Sequence, residues 1–171
     1  MAFLTRLLSI LFLPSFCAAQ TERPNVLLVT ADDLGLQLSC YGETHIQTPR
    51  IDELASSGVR FEVAYVTHAS CSSSRSSMFS GMYPHTTGQI GLANAGFVLD
   101  ESEVGKNLTR YLRDAGYRTG IIGKRHVNPR SAFKFDLYRN ADLGPNNGRE
   151  VRAMAEAADE FINAKSSKPF L

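Results

Sequence analysis

Residues 24–33 read PNVLLVTADD. A short unbroken apolar run, Val26 to Val29, ends in the doublet Asp32–Asp33. Such a run suits a strand buried on both faces, as in a parallel sheet, because a strand with one wet face alternates apolar and polar residues. Open α/β sheets bind ligands outside the carboxyl ends of their strands. A carboxylate pair at that end is therefore a candidate cation site. Adjacent carboxylates repel, and a hard ion such as Ca²⁺ or Mg²⁺, which takes oxygen ligands, relieves the repulsion. The alternative is a turn in which one aspartate caps the next segment.

The pattern continues outward from this strand. Thr48 and Pro49 predict a helix N-cap and first turn, with Ile51, Leu54 and Ala55 on the apolar face and Gly58 at the end. VRFEVAYV (59–66) reads as a short strand. A helix follows Cys71, with Met78, Phe79 and Met82 at helical spacing and Pro84 as the stop. Val104, Leu108, Tyr111, Leu112 and Ala115 share one face of the next helix, and Gly116 is its C-terminal cap. YRTGIIG (117–123) is another buried strand, and Val151, Met154, Ala158, Phe161 and Ile162 mark a last helix. Alternating strands and helices predict an α/β fold with a mostly parallel sheet. KPFL (168–171) opens like one more strand, so the reading expects the N-terminal part of something longer.

Composition sets outer limits. The 171 residues correspond to roughly one domain. Hydrophobic residues make up 43% and charged residues 20%, and the net charge is +1. There is no basic block of the kind that binds nucleic acid. Residues 1–20 stand apart. Arg6, an apolar run from Leu7 to Phe16, and the small residues Cys17, Ala18 and Ala19 read as an export signal cleaved near Ala19 or Gln20. The run is too short to span a bilayer core of about 30 Å. The expectation is thus a signal peptide at 1–20, one domain at 21–171 and no stable membrane insertion. The mature chain keeps Cys40 and Cys71, which allow one disulfide. NLT at 107–109 is the one N-linked glycosylation signal. It is placed inside a helix, which disfavours its use.

Three groups of residues carry candidate chemistry. CSSSRSS (71–77) sets Cys71 four residues before Arg75. At a helix start the N-terminal dipole and an arginine one turn on both favour a thiolate; a structural cysteine is the plainer reading. Lys124 and His126 follow the strand GIIG, where Gly123 lets the backbone turn. Together they offer a fixed charge for an anion and a titratable acid or base, or else a basic surface loop. His85 either faces the same cleft or caps a helix end.

Taken in order, NVLLVTADD, TPRIDELASSGVRFEVAYV, CSSSRSSMFSGMYPHTTG, LTRYLRDAGYRTGIIGKRH and KPFL resemble the N-terminal portion of sulfatases of the alkaline-phosphatase superfamily. TGIIGKRHVNP and HTTGQIGL carry a finer resemblance to the heparan N-sulfatase (sulfamidase) group. The resemblance implies a three-layer α/β sandwich and hydrolysis of sulfate esters or N-sulfates on a sulfated glycan. It implies that a maturation enzyme converts Cys71 to formylglycine, whose hydrate attacks sulfur with one hydroxyl and expels sulfate through the other. It implies Asp32, Asp33 and the modified Cys71 as ligands of one Ca²⁺. Arg75 and Lys124 would contact the nucleophile and the sulfate, and His126 would take the proton from the hydrate. An exported protein, secreted, periplasmic or lysosomal according to its host, is also implied. One departure stands out: Ser73 occupies the position where the family motif C-x-P-S/A-R has proline. The competing expectation is an inactive sulfatase-like chain that binds sulfated sugar through Arg75, Lys124 and His126.

Overall fold

The computed structural model describes residues 23–140 and 150–171, so the export signal expected at 1–20 lies outside the described residues. The helices are α1 (Pro49–Ser57), α2 (Cys71–Ser80), α3 (Pro84–Thr87), α4 (Leu108–Asp114) and α5 (Val151–Ile162). Two strands, β1 (Gly120–Ile122) and β2 (Leu137–Arg139), pair in parallel with Ile121 opposite Tyr138. A parallel bridge joins Arg118 to Phe170, and the Val26 N–H donates to the Phe170 carbonyl at 2.8 Å. KPFL therefore does meet the sheet, as its apolar character predicts.

The helix boundaries follow local chemistry. Pro49 begins α1, since proline's missing N–H is not needed in a first turn. Thr48 sits at its N-cap, but its hydroxyl is engaged with the Ser39 backbone and side chain instead of capping. α2 stops at Ser80 because Gly81 adopts a left-handed conformation at φ 71°. Pro84 does not end α2, as its sequence position suggested; it opens α3. α4 starts at Leu108 and not at Val104, because Asn107 caps it. The Asn107 Oδ1 accepts from the Arg110 N–H at 3.1 Å and from the Thr109 hydroxyl at 2.6 Å. Its Nδ2 donates to Val104 and Ala132 carbonyls, both at 3.0 Å. Asn107 is a buried cap and not a mid-helix residue, and its amide nitrogen is occupied.

The core is small. Phe79, Leu99, Val127 and Phe133 are buried together, with Val104, Ile121, Ala132 and Phe135 against them. The Phe79 and Phe133 rings lie 5.1 Å apart, within the favourable range for tilted aromatic pairs. This cluster pins α2 to the chain that follows β1.

Two expected strands are not formed. Val26 to Val29 and residues 59–66 have no ladder partners among the described residues, apart from the single bond from Val26. Val29 is 82% exposed and Tyr65 92%. The apolar run at 26–29 promises burial, but a strand needs a neighbour for each row of peptide groups, and here only Phe170 supplies one. Cys40 and Cys71 are free thiols, so the disulfide that two cysteines allowed is absent.

Replacing Asn107 by Ala should cost about 2–3 kcal/mol, from loss of the cap and of the bonds that tie α4 to residue 132. Urea denaturation measures it. Asn107→Asp keeps the capping oxygen but sets a buried carboxylate oxygen against the Val104 and Ala132 carbonyls, and should cost at least as much.

Candidate anion-binding site at the end of β1

The turn after β1 carries two of the site's side chains, Lys124 and His126. Gly123 takes φ 92°, and its N–H is held by the Arg139 carbonyl of β2 at 2.7 Å. Lys124, Arg125 and His126 follow, and His126 is itself left-handed at φ 54°. A non-glycine residue in that region is uncommon and persists where its surroundings hold it. The turn ends in the tightly packed Val127.

Arg75, from the second turn of α2, reaches this turn. Its Nη1 donates to the Lys124 carbonyl at 2.7 Å, and its Nη2 lies 3.4 Å from the Asp32 Oδ1. Lys124 Nζ contacts the other Asp32 oxygen at 2.6 Å. One carboxylate thus meets two cations, and the Arg75 side chain is only 11% exposed. The Lys124 hydrogen bond, opposed by partial burial and aided by Arg75, holds the Asp32 carboxyl below its usual range. Two positive groups on one negative group leave the cluster with one spare positive charge, suited to an oxyanion.

His126 stands in the field of this cluster. Burial, then Lys124 and Arg75, lower its pKa from the ordinary 6.5, against a smaller opposing effect of Asp32. Its Nδ1 is buried without a partner. A neutral imidazole beside two cations is a proton acceptor at neutral pH.

The other predicted residues are placed as follows. Cys71 is the first residue of α2, one turn before Arg75. Asp33 is exposed in a left-handed turn at φ 58°. His85 stacks on Tyr83 at 5.6 Å on the outer surface and does not join the site. The structure therefore brings Asp32, Arg75 and Lys124 into direct contact, with His126 coupled to them electrostatically. Asp32 and Asp33 are oxygen donors of the right kind for Ca²⁺, but two carboxylates fall short of the six to eight oxygens it takes. Among the described residues no cluster of three or more His, Cys, Asp or Glu side chains forms.

Some residues that shape the site escaped the sequence reading. Arg125 turns away from it, buried, with its guanidinium 4.9 Å from the centre of the Tyr138 ring. Gln89 and Asn128 are hydrogen-bonded into the base of the His126 turn. The Asn128–Pro129 dipeptide is a turn signal that a closer reading could have used. Gln89 falls within HTTGQIGL, but its residue type does not set it apart there.

Ser73 is fully buried, and its hydroxyl has no partner. A buried polar atom left unpaired costs free energy, and a serine also propagates helix less well than alanine. Ser73→Ala should therefore raise stability by about 1 kcal/mol, read from the urea midpoint at unchanged slope.

The sulfatase family model matches residues 24–171. The chain is 39% identical over 131 residues to an N-acetylgalactosamine-6-O-sulfatase of Bacteroides thetaiotaomicron, covering 74% of this chain and 24% of that protein. It is 32% identical over 164 residues to human N-sulphoglucosamine sulphohydrolase, covering 95% of this chain and 32% of that one. A solved sulfatase structure, from work on glycosaminoglycan metabolism by Bacteroides thetaiotaomicron, superposes with a TM-score of 0.57 at 32% identity, over 75% of this chain and 32% of that chain. The chain spans no more than 32% of the length of any of these three.

Proposed function

The chain belongs to the sulfatase family, and we propose that it carries the nucleophile-bearing part of an enzyme that hydrolyses sulfate esters or N-sulfates on glycans such as heparan sulfate. The observation that supports this reading most is the meeting of Asp32, Arg75 and Lys124 at the carboxyl end of β1. Three segments far apart in sequence converge there on a cationic site beside a neutral histidine. Human N-sulphoglucosamine sulphohydrolase matches nearly the whole chain, which favours an N-sulfated sugar.

In this reading Cys71 is matured to formylglycine by a partner enzyme, and its hydrate is the nucleophile. Lys124 contacts the sulfate and the aldehyde-derived oxygen, and Arg75 holds the formylglycine and helps to balance the charge around it. His126 accepts the proton whose loss drives sulfate out, a role its lowered pKa suits because the imidazole stays neutral. A Ca²⁺ ion held in part by Asp32 and Asp33 would act as a Lewis acid on the same oxygens. The protein would be exported before it meets its glycan.

A second reading has its own support. Ser73 replaces the motif proline, whose fixed φ restrains the peptide a maturation enzyme must read. An unmatured chain would bind sulfated sugar through Arg75, Lys124 and His126 without turnover.

Mass spectrometry of the Cys71 peptide separates the two readings. Expression in a host that matures other sulfatases should give the aldehyde in place of the thiol. Only unmodified Cys71 there rejects the formylglycine mechanism. Turnover of sulfate esters, N-sulfoglucosamine and phosphate esters should favour the sulfated compounds. The pH profile of kcat should hold below pH 6.5 and fall as pH drops through the lowered His126 pKa, since protonation removes the base. His126→Ala should reduce kcat by about 10²–10⁴ and abolish that acidic limb.

A further inference from the structure

Ser72 follows the proposed nucleophile directly, yet its hydroxyl cannot react with anything in solvent. It is fully buried, and its Oγ accepts a hydrogen bond from the Ala93 N–H at 2.9 Å. The carbonyl of the same Ala93 accepts from the Asn128 Nδ2, also at 2.9 Å. Asn128 lies two residues after His126 and four after Lys124. A continuous path therefore runs from Cys71–Ser72, through two backbone groups of Ala93, to Asn128 and the His126 turn. It joins segments 21 and 35 residues apart in sequence.

Further bonds stiffen the path. The fully buried Gln89 accepts from the Asn128 N–H at 3.3 Å. Its Nε2 donates to the Gly91 carbonyl at 2.8 Å and the Phe97 carbonyl at 3.0 Å, which closes the loop that carries Ala93. The Leu99 N–H donates to the Asn128 carbonyl at 2.9 Å, so Asn128 is gripped from its backbone as well. Four residues on from Ser72, the Ser76 hydroxyl meets that of Thr87 at 3.1 Å, both fully buried. Ser72 and Gln89 are therefore buried polar side chains that this path leaves paired. An apolar contact would leave α2 free to slide, whereas hydrogen bonds specify distance and direction.

We propose that Ser72 and Asn128 are positioning residues that set the spacing between Cys71 and the Lys124–His126 turn through the backbone of Ala93. The proposal rests on the reading that Cys71 and His126 act on one substrate. Neither Ser72 nor Asn128 touches that substrate. What they supply is geometry, and small displacements of reacting groups lower rate more than affinity.

Amide hydrogen exchange tests the path whether or not turnover is seen. In Ser72→Ala the Leu99 amide, on the far side of Asn128, should exchange about tenfold faster, while the Gly123 amide, held by β2, keeps its rate. In Asn128→Ala the Ala93 amide should exchange faster by a similar factor, which reads the path from its other end if Ser72→Ala does not fold. Unchanged exchange at the far end in a folded variant overturns the proposal. So does a rise shared equally by Gly123, which reports general loosening. In turnover of a sulfate ester, both variants should lose about tenfold in kcat with KM within about twofold. A loss confined to KM also overturns it. An unsubstituted chain without turnover counts against the proposed function alone, because the exchange measurement still decides the path.

Discussion

One guanidinium carries much of this architecture. Arg75 is nearly buried, donates to the Lys124 carbonyl and approaches Asp32, residues 49 and 43 positions away. A buried cation that loses its partners is strongly destabilising, so the position of Arg75 obliges the other two segments to come to it. Arginine suits the task because its planar fork serves two acceptors at once, and because it stays charged at every relevant pH. The consequence is a site assembled by mutual need. The turn after β1 presents its carbonyl to α2, Lys124 folds back onto Asp32, and His126 is left in a positive field.

The parts of the fold that were readable in sequence are those decided locally. Pro49, Gly58, Gly116 and the periodic apolar residues of α5 mark helix positions by steric rules that hold in any context. Gly123 likewise announces a turn after β1. The misjudged parts are those decided by partners. Val26–Val29 and residues 59–66 have the composition of buried strands, but composition does not state which neighbour supplies the ladder. Pro84 was ambiguous for a similar reason: proline is compatible with a helix's end or with its first turn, and Gly81 settled the matter.

The site divides along the same line. Asp32, Lys124 and His126 lie in turns and Arg75 in the second turn of α2, polar residues beside apolar runs that sequence patterns single out. Their contact was not legible, since Asp32 and Lys124 stand 92 residues apart. Ser72, Gln89 and Asn128 were harder still. Their chemistry is directed at backbone groups, and a buried glutamine looks like any surface glutamine until its partners are known.

The loop at 89–99 adds a different lesson about tolerance to substitution. Ala93 contributes an N–H and a C=O, and its methyl group makes no part of the path. Proline, which has no N–H, cannot stand at that position. Gly91 is limited by space instead, because a Cβ there would lie 2.4 Å from the Phe97 ring. A survey of variants would thus find proline rejected at residue 93, while a side chain at residue 91 would require the Phe97 ring to shift. The pattern would reveal a constraint written in the main chain, one that comparison of side chains alone passes over.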